Sequence, residues 1–218
     1  MKGLLLKDLK LMLNQKKFFI MMLVIAIIIA FSSNNPSFVL GYMTFFISII
    51  ALSTINYDEF NNGYTFLFTL PFTKKDYTLE KYILTYLTAF ISWIFSMLLS
   101  AILYIILDGS YNVRDGLIEG ISTLMIFIII LSIMLPIKLK AGIEKSNIVQ
   151  SLLMGIIFIF ILGINLILDL FNIDLSSLII FLERINIYNL ILALFIIVTI
   201  ITVISYFISI KIMDKKEF

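Results

Sequence analysis

The side chains able to do covalent or metal chemistry are few in this sequence. The 218 residues include no Cys and no His, which removes thiolate nucleophiles, disulfides, imidazole bases and the common zinc and haem ligand sets. Carboxylates, lysines and hydroxyls remain. The run Gly142-Ile143-Glu144-Lys145-Ser146 has the Lys-Ser end of a phosphate loop but neither its upstream glycine nor a preceding strand, so it does not predict nucleotide binding. Gln150, Asn165 and Asn189 are the main polar groups within apolar runs, and such residues more often hydrogen-bond between helices than hold a substrate. With no His and no paired acidic motif inside a span, an intramembrane protease is also disfavoured. We therefore expect no catalytic residue, no metal site and no cofactor bound by this chain itself. The segment richest in contact chemistry is Tyr57-Asp58-Glu59-Phe60, an acidic pair between two aromatics.

The elements that position this segment follow from composition. Hydrophobic residues make up 61% of the chain and charged residues 14%, against about a quarter charged in ordinary globular domains, and the mean hydropathy is +1.12. Too few polar residues remain to clothe a separate soluble domain, so residues 1–218 read as one all-α membrane domain. A span needs about 20 apolar residues. Residues 18–57 carry no charge but are interrupted by Ser32-Ser33-Asn34-Asn35-Pro36-Ser37, a turn signal that divides them into spans over 18–33 and 38–55. Further spans are expected over 82–107, 117–137, 147–168 and 188–210, six in all. A soluble bundle would need a polar face on most helices, which 126–135 and 156–162 lack. No small-residue cleavage site follows Phe31, so the basic N-terminus is not read as a signal peptide.

Lysine placement orients the spans. With the N-terminus inside, fourteen of the sixteen basic residues fall on inner segments and only Arg114 and Arg184 outside, the distribution expected of cytoplasmic loops. Both termini are thus expected in the cytoplasm, with the basic face suited to anionic lipid.

Three segments do not span. Residues 1–17 read as an interfacial amphipathic helix with Leu5, Leu6, Leu9, Met12 and Leu13 on one face and Lys7, Lys10 and Asn14 opposite. In the inner loop, residues 56–81, Asn56 is placed to cap a short helix with Glu59 at its third position. The apolar face of that helix would be Phe60, Tyr64, Leu67 and Phe68, and its polar face Asp58, Asn61, Asn62 and Thr65. Leu70-Pro71 would end it. Thr73 with Asp76 signals a second start near Lys74, and a helix over 74–107 would be about 50 Å long, exceeding a 30 Å hydrocarbon core by about two turns. Residues 169–187 read as an outer hairpin too short to cross. Gly41, Gly155 and Gly163 permit close packing and form no G-x-x-x-G pair among themselves, and Pro136 reads as a helix terminus before Lys138.

This layout, with M-K-G-L-L-L-K-D-L-K at residues 1–10, Y-D-E-F-N-N-G at 57–63 and T-L-P-F-T-K-K-D-Y-T-L-E-K-Y at 69–82, resembles short permeases of the type 2 ABC exporter family. The resemblance covers the whole chain in topology, but in motif only residues 1–17 and 57–82. It implies an N-terminal interfacial helix, six spans, a cytoplasmic coupling helix between the second and third, and a re-entrant or interfacial outer hairpin before the last. By the same resemblance Tyr57, Asp58, Glu59, Phe60, Asn61, Tyr64, Leu70, Pro71, Lys74 and Lys75 would dock a separate ATP-binding cassette subunit that binds ATP and Mg. Where many family members have Gly-Thr and an Arg, this loop has Gly63-Tyr64 and lysines. The further implied partners are a second permease copy, identical or paralogous, the lipid bilayer and a peptide substrate, with no nucleic acid. The implied setting is a bacterial cytoplasmic membrane. Similar small permeases export amphipathic peptides such as phenol-soluble modulins or bacteriocins. The alternatives are a substrate-capturing module of a vitamin-type uptake system, which would show a polar outer pocket and no projecting loop helix, and a non-transporting membrane scaffold.

Overall fold

The structure is a computed structural model that describes residues 2–33, 35–60, 63–108, 111–141, 148, 151–152 and 187–217. These form α1 (Lys2–Leu13), α2 (Lys16–Ser33), α3 (Ser37–Glu59), α4 (Gly63–Leu67), α5 (Lys74–Asp108), α6 (Val113–Lys140) and α7 (Ile187–Asp214), with no strand among the described residues. Four of them, α3, α5, α6 and α7, are long and apolar enough to cross a membrane, and α1 with α2, bent by 58°, makes a fifth if taken as one broken span. The span expected over 147–168 and the hairpin over 169–187 lie almost wholly outside the described residues.

Local signals set several ends. Thr73 and Asp76 form a reciprocal cap: the Thr73 N–H donates to Asp76 Oδ2 (3.0 Å) and the Asp76 N–H to Thr73 Oγ1 (3.1 Å). The helix after it then runs unbroken for 35 residues. Asn112 caps α6 by accepting from the Arg114 N–H (3.1 Å). At the α2–α3 turn the Asn35 side chain accepts from the Ser37 N–H (3.1 Å).

Packing relies on small and hydroxylated residues, as expected where lipid removes the hydrophobic drive between helices. The most extensive seam joins α3 to α5. It buries Thr44, Ser48, Ala51 and Thr54 on one side and Thr85, Ala89, Ser92 and Ser96 on the other, and the Thr44 and Ser96 hydroxyls meet at 2.9 Å. Across the other side of α5, the Tyr82 hydroxyl reaches Ser205 (2.5 Å) and Ser209 (2.8 Å) of α7, and Tyr86 reaches Ser132 of α6 (2.7 Å).

Three sequence expectations change here. Pro136 does not end its helix, which continues to Lys140. Proline removes the N–H that would bond the Ser132 carbonyl, and the Ser205 hydroxyl from α7 donates to that carbonyl instead. A neighbouring helix thus satisfies the freed group, the condition for tolerating proline at membrane depth. Gly41 is not a close-packing position, since a Cβ there would meet nothing within 4 Å. Gly116 and Gly120 of α6 are four apart, and Gly120 is the one pressed against α5: a Cβ there would lie 2.3 Å from Met97 Sδ, and its carbonyl accepts from Trp93 Nε1 (2.7 Å).

Candidate functional site

One end of the bundle gathers α1, the C-terminal ends of α3, α6 and α7, the start of α5, and α4; the lysines of these segments make it the basic end. Its core includes Leu4, Leu52, Ile55, Tyr64, Tyr77, Leu135, Leu139 and Met213. Within it lies a buried ion cluster. Lys81 of α5, 1% exposed, pairs with Asp58 of α3 (2.6 Å) and with Asp8 of α1, and donates to Thr54 Oγ1 (3.2 Å). Lys7 of α1 pairs with Asp58 and lies 3.0 Å from Asp8. The Tyr77 hydroxyl donates to Asp58 Oδ2 (3.0 Å). Glu80 is also buried, 3.7 Å from Lys81, and its carboxylate accepts no hydrogen bond among the described residues.

Three carboxylates around two ammoniums tie three helices together. Each ion loses several kcal/mol of hydration on burial, which only its partners and hydrogen bonds offset. α1 is thereby fixed to α3 and α5 through its middle. Its inward face is Leu4, Asp8 and Met12, whereas Leu6 and Leu13, expected on the packed face, are exposed. The i, i+4, i+8 spacing of Leu4, Asp8 and Met12 carries that face. Asp8 conceals it, because an acidic residue between two apolar ones reads as solvent-facing.

The loop after α3 also differs from expectation. Asn56 does not cap a new helix: α3 continues through it to Glu59, because Asp58 finds its cations inside the bundle. The Asn56 side chain instead accepts from Lys138 Nζ (3.4 Å). The chain turns at Phe60, whose extended backbone (φ −59°, ψ 134°) closes α3, and the expected helix over 57–68 is reduced to the five residues of α4. Beneath α4, Tyr64, Phe68, Phe72 and Tyr77 form an aromatic cluster with ring centroids 5.6–6.1 Å apart. Burial pushes the Tyr64 phenol above its ordinary pKa, so it stays protonated beside the Tyr77 hydroxyl, 3.4 Å away.

The C-terminal end closes over the same loop. Lys74 Nζ donates to the Lys216 carbonyl (2.5 Å) and the Asp214 carbonyl (3.4 Å). Lys216 pairs with Glu59 (3.5 Å) and sits over the Tyr64 ring, 4.8 Å from its centroid.

The expected docking residues thus separate into two groups. Asp58 and Tyr64 are buried, 7% and 4% exposed, and hold the loop rather than face outward. Glu59 and Lys74 are half-buried and engaged by the C-terminal end. Tyr57 and Phe60 stand out at 53% and 63% exposed, with Leu70, Pro71 and Lys75 also exposed. Asn61 lies outside the described residues. Phe66, which the sequence reading passed over, is 72% exposed. It falls between Tyr64 and Leu67, so helical periodicity alone turns it away from the core.

Gly63 fits this loop closely: a Cβ there would lie 2.6 Å from the Asp58 carbonyl oxygen. Backbone cannot yield as a side-chain tip can, so Gly63→Ala is expected to cost about 1–3 kcal/mol. The check is the thermal midpoint of the detergent-solubilised chain; an unchanged midpoint would show that α4 is free to shift.

A bundle of apolar helices, a folded loop at its basic end and no nucleotide motif suit a membrane component of a larger machine. The sequence profile described as ABC-2 family transporter protein matches residues 3–214. The chain belongs to the ABC-2 transporter family. No curated protein and no solved structure matches it. As an ABC-2 family chain it is a multi-pass membrane component of the permease type, a class in which ATP hydrolysis is typically the work of a separate subunit. The ion cluster, α4 and the exposed aromatics all fall within the matched residues of this ABC-2 chain.

Proposed function

We propose that the chain is the permease subunit of an ATP-driven exporter, that its basic end faces the cytoplasm, and that the loop from Tyr57 to Lys75 docks a separate ATP-binding cassette subunit. The observation carrying this reading is the pairing of an exposed aromatic patch with a rigid base. Tyr57, Phe60 and Phe66 stand free of the bundle, while Asp58, Tyr64, Lys74 and Glu59 tie the same loop to α1, α5 and the C-terminal end. Large apolar side chains on a non-spanning segment mark a contact surface, and aromatics are the side chains that anchor such contacts. A push on α4 would reach α1, α3 and α5 together, because the cluster beneath it joins all three.

Two copies, identical or paralogous, would enclose a path between them, and amphipathic or hydrophobic peptides are the substrates this reading favours. It is supported by the lateral surfaces of α5 and α7, where Phe90, Phe95, Leu98, Leu192, Phe195 and Phe207 are exposed and no charge occurs over residues 82–107 or 185–210. Co-expression of the tagged chain with the ATPase encoded beside it tests the reading. A stable complex whose ATPase rate rises with an amphipathic peptide is expected. A chain that purifies without any ATPase subunit under mild detergent would overturn it.

A further inference from the structure

A second feature of the basic end serves neither the cluster nor the loop. Where α1 bends into α2, four helices leave an apolar groove of about 480 Å³, walled among others by Leu13, Ile20, Leu23, Leu87, Ile91 and Phe95. Leu13, Ile20, Leu87, Ile91 and Phe95 are also exposed, so the groove opens sideways towards lipid. On α5 it extends from Leu87 to Phe95, about 12 Å of helix, close to the depth of one leaflet of a 30 Å hydrocarbon core.

Its lining is apolar in effect. The hydroxyls of Thr88 and Ser92 are spent on the carbonyls of Thr85 and Ala89 (2.9 Å each). A peptide backbone would find no partner here, and unsatisfied backbone groups are costly in such surroundings. A helix of 10–12 Å diameter would fit only about one turn into this volume. An alkyl chain meets neither obstacle.

The mouth is basic. Lys10, Lys16 and Lys17 flank the bend, all three are exposed and none has an acidic partner among the described residues. No carboxylate occurs in the sequence between Asp8 and Asp58, and both of those are engaged inside the cluster. We propose that the groove seats one acyl chain of an anionic phospholipid from the adjoining leaflet, with its phosphate held by Lys16, Lys17 and Lys10. The bend between α1 and α2 brings the charged mouth and the chain-length slot together.

Native mass spectrometry of the full chain in detergent, with phosphatidylglycerol or phosphatidylcholine of matched chains added, tests this. One phosphatidylglycerol per chain is expected to survive activation that strips phosphatidylcholine, with a preference of about tenfold or more, since each lysine at an anionic headgroup contributes several-fold. Lys16→Gln with Lys17→Gln should remove the preference while leaving phosphatidylcholine retention unchanged. Ile91→Trp, which fills the groove, should abolish retention of either lipid. Equal retention of the two lipids by the unaltered chain would overturn the proposal. So would a preference that survives loss of both lysines, undiminished retention by the Ile91→Trp chain, or displacement of phosphatidylglycerol by an amphipathic peptide.

Discussion

Lys81→Met is expected to lower the unfolding free energy of the solubilised chain by about 3–5 kcal/mol, the cost of removing one member of a buried ion pair. Lys81 is the common partner of Asp58 and Asp8, and the Lys81 side chain is almost wholly enclosed. Without it, Asp8 and Glu80 would share their pocket with only Lys7, which is already engaged with Asp58. Unpaired buried carboxylates must then take up protons or drag in water, and either response loosens α1 from α3 and α5. The measurement is a thermal or denaturant midpoint in mild detergent, with accessibility of a cysteine placed in α1 as a local readout. Combining Lys81→Met with Asp8→Asn and Asp58→Asn should recover much of the loss, because the charges left without partners go with it. If the single variant unfolds like the unaltered chain, the cluster is not what fastens α1.

The second large effect concerns the partner and leaves the fold alone. Tyr57→Ala with Phe60→Ala is expected to reduce retention of the ATPase subunit by at least about tenfold, since exposed aromatics that become buried in an interface commonly contribute 2 kcal/mol or more each. Both side chains extend from the end of α3 away from the bundle, so their removal should leave the thermal midpoint of the permease nearly unchanged. The contrast with Asp58 is the informative part. Asp58→Ala would also disturb ATPase binding, but through collapse of the cluster, and its midpoint would fall with it. Full ATPase retention by the Tyr57→Ala, Phe60→Ala chain would remove these two residues from the docking surface.

The position of the loop was readable because its signals are local. Tyr57 to Lys75 fall between two charge-free runs, and the Thr73–Asp76 cap needs nothing beyond three residues of helix geometry. Its internal arrangement was not. Asp58 looked like a solvent-facing acid since neither Lys7, 51 residues earlier, nor Lys81 in the following helix is a neighbour until the chain folds. Asn56 looked like a cap for the same reason: the helix it would have started continues instead from the one before it.

The sequence by itself determined where α2, α3, α5, α6 and α7 run, because apolar length, charged ends and caps act within a turn or two of helix. It also determined that these helices belong in lipid. Only the tertiary structure decided which charged residues lie inside: Lys7, Asp8, Asp58, Glu80 and Lys81 are buried at the basic end. It likewise decided that α6 continues past Pro136, through a serine 73 residues further on in α7. The physical reason is common to both. A buried ion or a freed carbonyl is tolerable only when its partner arrives from another helix, and partners that distant leave no periodicity in the sequence.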